Sequence, residues 1–303
     1  DEDIPARKVA LKQNYNRIIF PDIIERDTKL LNLAKRLNIA PLASFPNKKL
    51  YYCNEGYGLI KYRVHVEVCW FIFLLSLDPI KKKFGINKNE KAYLTKISKN
   101  FNLNDALEIK EIEKKINHDV KSVEYFLKSK FNKHKTLKNK KELIHFCATS
   151  EDINNISYAL MYSDSRKILL KKINEVLGIL KKYEKKYANT PMLSRTHGQK
   201  ASPTTFGKEL KVFSSRLKKQ SAFMEKRYVY AKMNGAVGNF NAHHVVLPEI
   251  KWDIETKKFL SNLGLVQNTH TTQIENHDWL SEALNDICTV SYTHLTLPTK
   301  VTV

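Results

Sequence analysis

LLKKINEVLGILKKYEKKY (Leu169–Tyr187) is the stretch that decides the fold. Leu169, Ile173, Val176, Leu180, Tyr183 and Tyr187 follow alternating steps of four and three. Such steps keep every member on one side of an α-helix, so this is a heptad seam on a long helix packed at a shallow angle against a partner. Pro191 ends it. After Pro203 the rhythm returns in Phe206, Leu210, Phe213, Leu217, Gln220 and Met224. Two seamed helices joined by the polar loop Leu193–Ser202 predict an antiparallel hairpin of a helical bundle.

Working outward, dense apolar residues from Gly58 to Leu77 predict a buried helix, whose most apolar run, Val68–Leu77, is bracketed by Glu67 and Asp78. That run is far short of the ~20 residues that span a bilayer. Asp105–Lys130 is a further helical stretch, with Ile109, Ile112 and Ile116 on one face, continued by Val120, Val123, Phe126 and Leu127. Asn87 and Asn104 stand where loops or helix caps belong. Residues 1–54 are irregular in pattern, with a helix predicted at Ile23–Leu37 and a break at Pro41–Pro46. Ser281–Val290 reads as helix, whereas SYTHLTLPTKVTV (Ser291–Val303) does not continue the seam and reads as a frayed or non-native tail.

Composition agrees with a helical protein. Only 9 Gly and 9 Pro punctuate 303 residues, which favours long helices over many short strands. The net charge of +21 is nearly all lysine, scattered along the chain as pairs such as Lys171-Lys172 and Lys181-Lys182. A scattered excess describes a solvated surface that attracts anionic substrates rather than a groove-binding element, so no nucleic-acid partner is expected. Cys53, Cys69, Cys147 and Cys288 form no CxxC pair and read as reduced, buried thiols. The histidines lack metal-ligand spacing, and no metal is expected. With neither a membrane span nor a secretory signal in view, the expected location is the cytoplasm.

Several polar clusters interrupt this apolar rhythm. Ser194–Gln199 (SRTHGQ) gathers hydroxyls, a guanidinium, an imidazole and an amide around Gly198. His197 there can act as a general acid or base near neutral pH, or simply cap the next helix. Asn117-His118-Asp119 is either a solvent face or a set of donors for an anion. Thr149–Asn155 (TSEDINN) is a helix-start signature, and a helix start offers backbone N–H groups to a carboxylate or phosphate. Asn234–Asn239 (NGAVGN) lacks a preceding strand, so its glycines serve a turn or a close approach rather than a dinucleotide. Thr271–Glu275 (TTQIE) is a further polar group after a loop.

In this order, YGLIKYRVHVEV (Tyr57–Val68), NHDVKSVEYFLK (Asn117–Lys128), TSEDINN, LSRTHGQ (Leu193–Gln199), GKE (Gly207–Glu209), NGAVGNFNAH (Asn234–His243) and TTQIE resemble adenylosuccinate lyase, of the fumarase/aspartase superfamily. The resemblance covers roughly residues 55–288. It implies an all-α fold: an atypical segment 1–54, an N-terminal helical domain 55–147, and a central long-helix bundle 148–290, incomplete, before the tail 291–303. It implies a homotetramer with active sites shared between subunits. The implied reaction is β-elimination of fumarate from adenylosuccinate, giving AMP, and from the succinylcarboxamide SAICAR, without a cofactor. It assigns Asn117, His118, Asp119, Thr149, Ser150 and Gln273 to substrate binding, and His197 to protonating the departing nitrogen.

The sequence departs from the family pattern in two places. No SSxMPxKxN loop, which would carry the serine base, follows TTQIE, and no Arg-Tyr pair is recognisable in residues 1–54. The expectation is a lyase sequence with both ends truncated or replaced and little activity by itself, since a general base contributes roughly 10²–10⁴ in rate. The alternative is an inactive helical relative that binds a nucleotide or a partner protein.

Overall fold

The structure is a computed structural model that describes residues 56–295; the readings made on residues 1–54 lie outside them. It is helical, as expected, with two small two-stranded sheets. The chain divides into two compact units. The first holds residues up to Asp164 together with Val229–Asn276; the second holds Ser165–Tyr228 and the stretch from His277 onward. The division near residue 164 falls inside one long helix.

In the first unit, α1 (Tyr57–Leu74) is apolar all round and buried on nearly every side, as a helix without a polar face must be. Glu67, at the head of the Val68–Leu77 run, is wholly buried within α1, as is Arg63 one turn earlier. The short α2 (Asp78–Lys83) leads to α3 (Lys88–Lys99), which Asn87 and Glu90 start with a reciprocal capping box. Then α4 (Leu103–Ile116) is capped by Asn102 with Asp105, not by Asn104, which lies just inside the helix.

The single helix predicted over Asp105–Lys130 is two. It breaks at Asn117, whose φ of 54° ends α4 in the left-handed region, a conformation asparagine tolerates better than most residues. His118 is extended, and its Nδ1 accepts the Lys121 N–H to start α5 (Asp119–Asn132). The apolar period runs through this break because both helices bury their apolar faces, among them Ile109, Val120, Val123 and Phe126. Periodicity alone therefore concealed the interruption.

A 3₁₀ turn (Leu137–Leu143) precedes α6 (Ser150–Lys186), which starts where the TSED signature put it. The later part of the first unit consists of β3 (Tyr230–Ala231), α8 (Asn241–Val246), α9 (Trp252–Asn262) and β4 (Val266–Gln267), with β3 and β4 paired in parallel. Its core centres on Trp70, whose ring meets Phe259 edge-on at 5.1 Å and lies 6.5 Å from that of Trp252.

The second unit contains the rest of α6, a β-hairpin of β1 (Pro191–Thr196) and β2 (Gln199–Thr205), then α7 (Phe206–Lys226) and α10 (Asp278–Leu295). The predicted polar loop is mostly this hairpin. Ile173, Leu177, Leu217 and Met224 form its core, joined by Leu169, Leu180, Ile287 and Val290. Leu177, not Val176, is the buried member of the seam, and Val176, Tyr183 and Phe206 are exposed. Gly207 sits where an added Cβ would lie 2.6 Å from the Ala188 Cα, so only glycine lets the start of α7 approach the end of α6. Arg227 clamps α10 through Asp286 and Glu282.

The expected change at Ser291 does not occur, because α10 runs on to Leu295 and buries Thr293. Thr293 donates to the Thr289 carbonyl one turn back, which lets a threonine sit in the helix without an unpaired hydroxyl. Among the described residues Cys69 and Cys147 are half-buried thiols, whereas Cys288 is exposed. No described helix is long and apolar enough to cross a membrane.

Candidate active site

The six residues assigned to substrate binding by resemblance all lie in the first unit. Two buried polar arrangements hold their backbones. The first starts on α1, where Arg63, Glu67 and Trp70 follow i, i+4, i+7 and so share one stripe. Arg63, 2% exposed, donates from Nη2 to Asp119 Oδ2 at 2.7 Å and from Nε to Asn154 Oδ1 at 2.8 Å. One guanidinium thus ties the break between α4 and α5 to the first turns of α6. Glu67 pairs with His145 Nδ1 at 2.6 Å, and Trp70 Nε1 donates to the Phe146 carbonyl at 3.0 Å. His145 and Cys147 both have positive φ, so these contacts hold a strained bend just ahead of Thr149. Burial lowers the pKa of His145, but the Glu67 carboxylate more than offsets this and raises it above the ordinary histidine value.

The second arrangement surrounds Asp152, wholly buried in the first turn of α6. Its Oδ2 accepts the N–H of Thr149 at 2.9 Å and of Gly235 at 3.1 Å; Oδ1 accepts the Asn234 N–H at 3.3 Å and faces Lys232 Nζ at 3.0 Å. Lys232 is itself 0% exposed. A buried charge without a partner is costly, so this pairing explains how both groups sit in the core. Burial pushes the Asp152 carboxyl up in pKa, against Lys232 and the backbone donors, which pull it down.

The glycines of NGAVGN serve a turn and a close approach, as expected, but the approach is to backbone. An added Cβ at Gly238, where φ is +81°, would lie 2.1 Å from the Thr271 carbonyl oxygen. Asn234 Nδ2 also donates to Thr271 Oγ1 at 2.8 Å. Gln273 follows two residues later, with an exposed side chain. At the other end of the set, Asn117 and His118 are exposed and Asp119 is half-buried. Exposed donors on a braced backbone suit an anionic ligand that arrives from solvent.

His197 belongs to the second unit. Thr196 pairs with Gln199, so His197 and Gly198 are the two turn residues of the hairpin, with φ values of 51° and 75°. Two positive φ angles in a two-residue turn suit the right-handed twist of a hairpin, and glycine at the second position accommodates one of them without strain. His197 is exposed and caps no helix; Thr205 caps α7. Its imidazole is therefore presented at a tip rather than used to finish a helix.

Sequence reasoning missed Arg63, Glu67, His145, Asp152 and Lys232 as organisers of the site. Charged residues at helical spacing inside the apolar α1 were the available signal for Arg63 and Glu67.

The sequence of this chain matches the model of a family described as lyase over residues 80–297. The chain belongs to that lyase family, within the fumarase/aspartase superfamily. Its curated relatives include adenylosuccinate lyases. That of Buchnera aphidicola subsp. Acyrthosiphon pisum is 44% identical over 227 residues, covering 75% of this chain and 50% of the relative. That of Legionella pneumophila strain Corby gives the same identity and coverage, and that of Escherichia coli K12 is 42% identical over 227 residues. The chain thus spans about half the length of the curated relatives it matches. Among solved structures, a fumarate lyase from Mesorhizobium sp. BNC1 aligns over 82% of this chain and 55% of its own, with TM-score 0.63 and 19% identity. A β-carboxy-cis,cis-muconate cycloisomerase from Acinetobacter calcoaceticus aligns over 84% and 58%, with TM-score 0.62 and 17% identity. At such identities these likenesses establish the fold.

Proposed function

We propose that the chain forms the substrate-binding and proton-donating part of an adenylosuccinate lyase, acting on adenylosuccinate and on SAICAR in the cytoplasm as a homotetramer with shared active sites. In the reaction a base takes the proton from the carbon next to a carboxylate. The electron pair left behind forms the double bond of fumarate as the C–N bond breaks, and His197 gives the departing nitrogen its proton. Asn117, His118, Asp119, Thr149, Ser150 and Gln273 contact the substrate, which carries two carboxylates and a phosphate. Proton abstraction is assigned to no residue of this chain.

The observation that carries the reading is the Arg63 bridge. It joins the Asn117–Asp119 break to the start of α6 within one unit, and both joined segments are motifs of the family. A break between two helices and a helix start each present polar groups off the end of a packed element, where an anion is bound with little reorganisation. The net charge of +21 favours a multiply anionic substrate.

A thermal-shift panel tests this on the purified chain. Adenylosuccinate and SAICAR raise Tm in a concentration-dependent manner, whereas argininosuccinate and malate do not. A shift with argininosuccinate in place of adenylosuccinate would replace the substrate assignment, and no shift with any of the four would favour the alternative of a partner-binding relative.

A further inference from the structure

Asp152 and Lys232 take no part in the chemistry just described, yet they form a fully buried ion pair in the first unit, both at 0% exposure. Their contacts run in two directions. Toward α6, Asp152 holds the Thr149 N–H, and the Asn155 side chain brackets Lys232 from both sides: Oδ1 accepts the Lys232 N–H at 2.8 Å and Nδ2 donates to its carbonyl at 3.1 Å. Toward the glycine turn, Lys232 Nζ donates to the Gly235 carbonyl at 2.9 Å while Asp152 receives the Asn234 and Gly235 N–H groups. From that turn Asn234 reaches Thr271 Oγ1, and Gly238 lies against the Thr271 carbonyl.

We infer that Asp152 and Lys232 are positioning residues: they lock the Thr149–Ser150 segment to the Thr271–Gln273 segment so that both present donors to one substrate. The inference rests on the functional reading for what is bound, and on geometry alone for the lock. A bidentate amide bracket, three backbone N–H bonds to one carboxylate and a buried ammonium form one connected network. Such a network fixes relative position because no member can move without leaving another unpaired. An apolar contact of the same area would hold the segments together without fixing their register.

The test uses Lys232→Met, Asp152→Asn and the double variant in the purified chain, read by hydrogen exchange and by calorimetric binding of adenylosuccinate. Each single variant leaves one uncompensated buried group and is expected to lower Tm. The double variant removes both charges and recovers much of that loss, so it separates folding from positioning. In the double variant, amide exchange accelerates at least tenfold over Thr149–Ile153 and over Thr271–Glu275 together, and adenylosuccinate affinity falls at least tenfold. Native-like exchange at Thr271–Glu275 in a folded double variant would overturn the lock, as would unchanged affinity. If the wild-type chain binds no adenylosuccinate, the functional reading fails, and the exchange measurement still decides the lock.

Discussion

The glycine turn Asn234–Asn239 and the hairpin tip at His197-Gly198 use the same backbone device for different ends. Each has a glycine at strongly positive φ, +81° at Gly238 and +75° at Gly198. Around Gly238 the Thr271 carbonyl leaves no room for a side chain, whereas nothing lies within 4 Å of the Cβ position at Gly198. The first region is a packed joint that fixes the segments assigned to substrate binding. The second is an exposed turn that carries His197, the proposed proton donor, outward. Rigidity is thus concentrated where the proposed donors must converge, while the proposed proton donor sits on a short sheet whose own pairing holds it.

The largest expected effect concerns the joint. His243 lies beneath the glycine turn, its ring edge-on to Trp252 at 4.8 Å, and neither ring nitrogen has a hydrogen-bond partner among the described residues. Burial, with His244 and Lys232 adding positive charge nearby, lowers its pKa to about 4. The folded state therefore refuses a proton that the unfolded chain accepts near pH 6.5. Its contribution is intact above about pH 6.5 and is lost as the pH falls toward 4, by about 3 kcal/mol in all. Urea titrations at pH 7.5 and 4.5 measure the loss, and His243→Leu should remove this residue's share of the pH dependence.

Gly238→Ala comes next. It combines a disfavoured φ with a collision against backbone, at a cost of roughly 2–3 kcal/mol. Gly198→Ala meets the φ penalty alone and costs about 1 kcal/mol. Equal losses in denaturant titrations of the two variants would erase the contrast between joint and tip. The smallest effect on stability is that of His197→Asn, within about 0.5 kcal/mol because the side chain is exposed. In an intact lyase carrying the same substitution, kcat should drop by roughly 10²–10⁴ with little change in KM.

The difference between the two regions also explains what was legible in the sequence. The long helices could be read because burial on one face leaves a period in the chain, and the TSED start because capping is local chemistry. The shift from Val176 to Leu177 could not be read, since both are apolar and only the partner helix chooses between them. The break at Asn117 was hidden by two helices whose apolar faces continue in phase. His197 stood out because imidazole and glycine in a short polar stretch are unusual. Asp152 and Lys232 did not stand out, because a charged residue looks solvent-exposed in sequence until its partner, eighty residues away in the chain, is found beside it in the fold. The motifs carried the family where residue-by-residue reading left each cluster open.

The central claim, that this chain holds the residues that bind adenylosuccinate, is tested most directly by equilibrium calorimetry with the wild-type chain and the Thr149→Ala/Ser150→Ala variant. Saturable binding by the wild type is expected, with an affinity at least tenfold weaker in the variant and Tm changed by only a few degrees. Equal affinity in the two proteins, or no binding by the folded wild type, would contradict it.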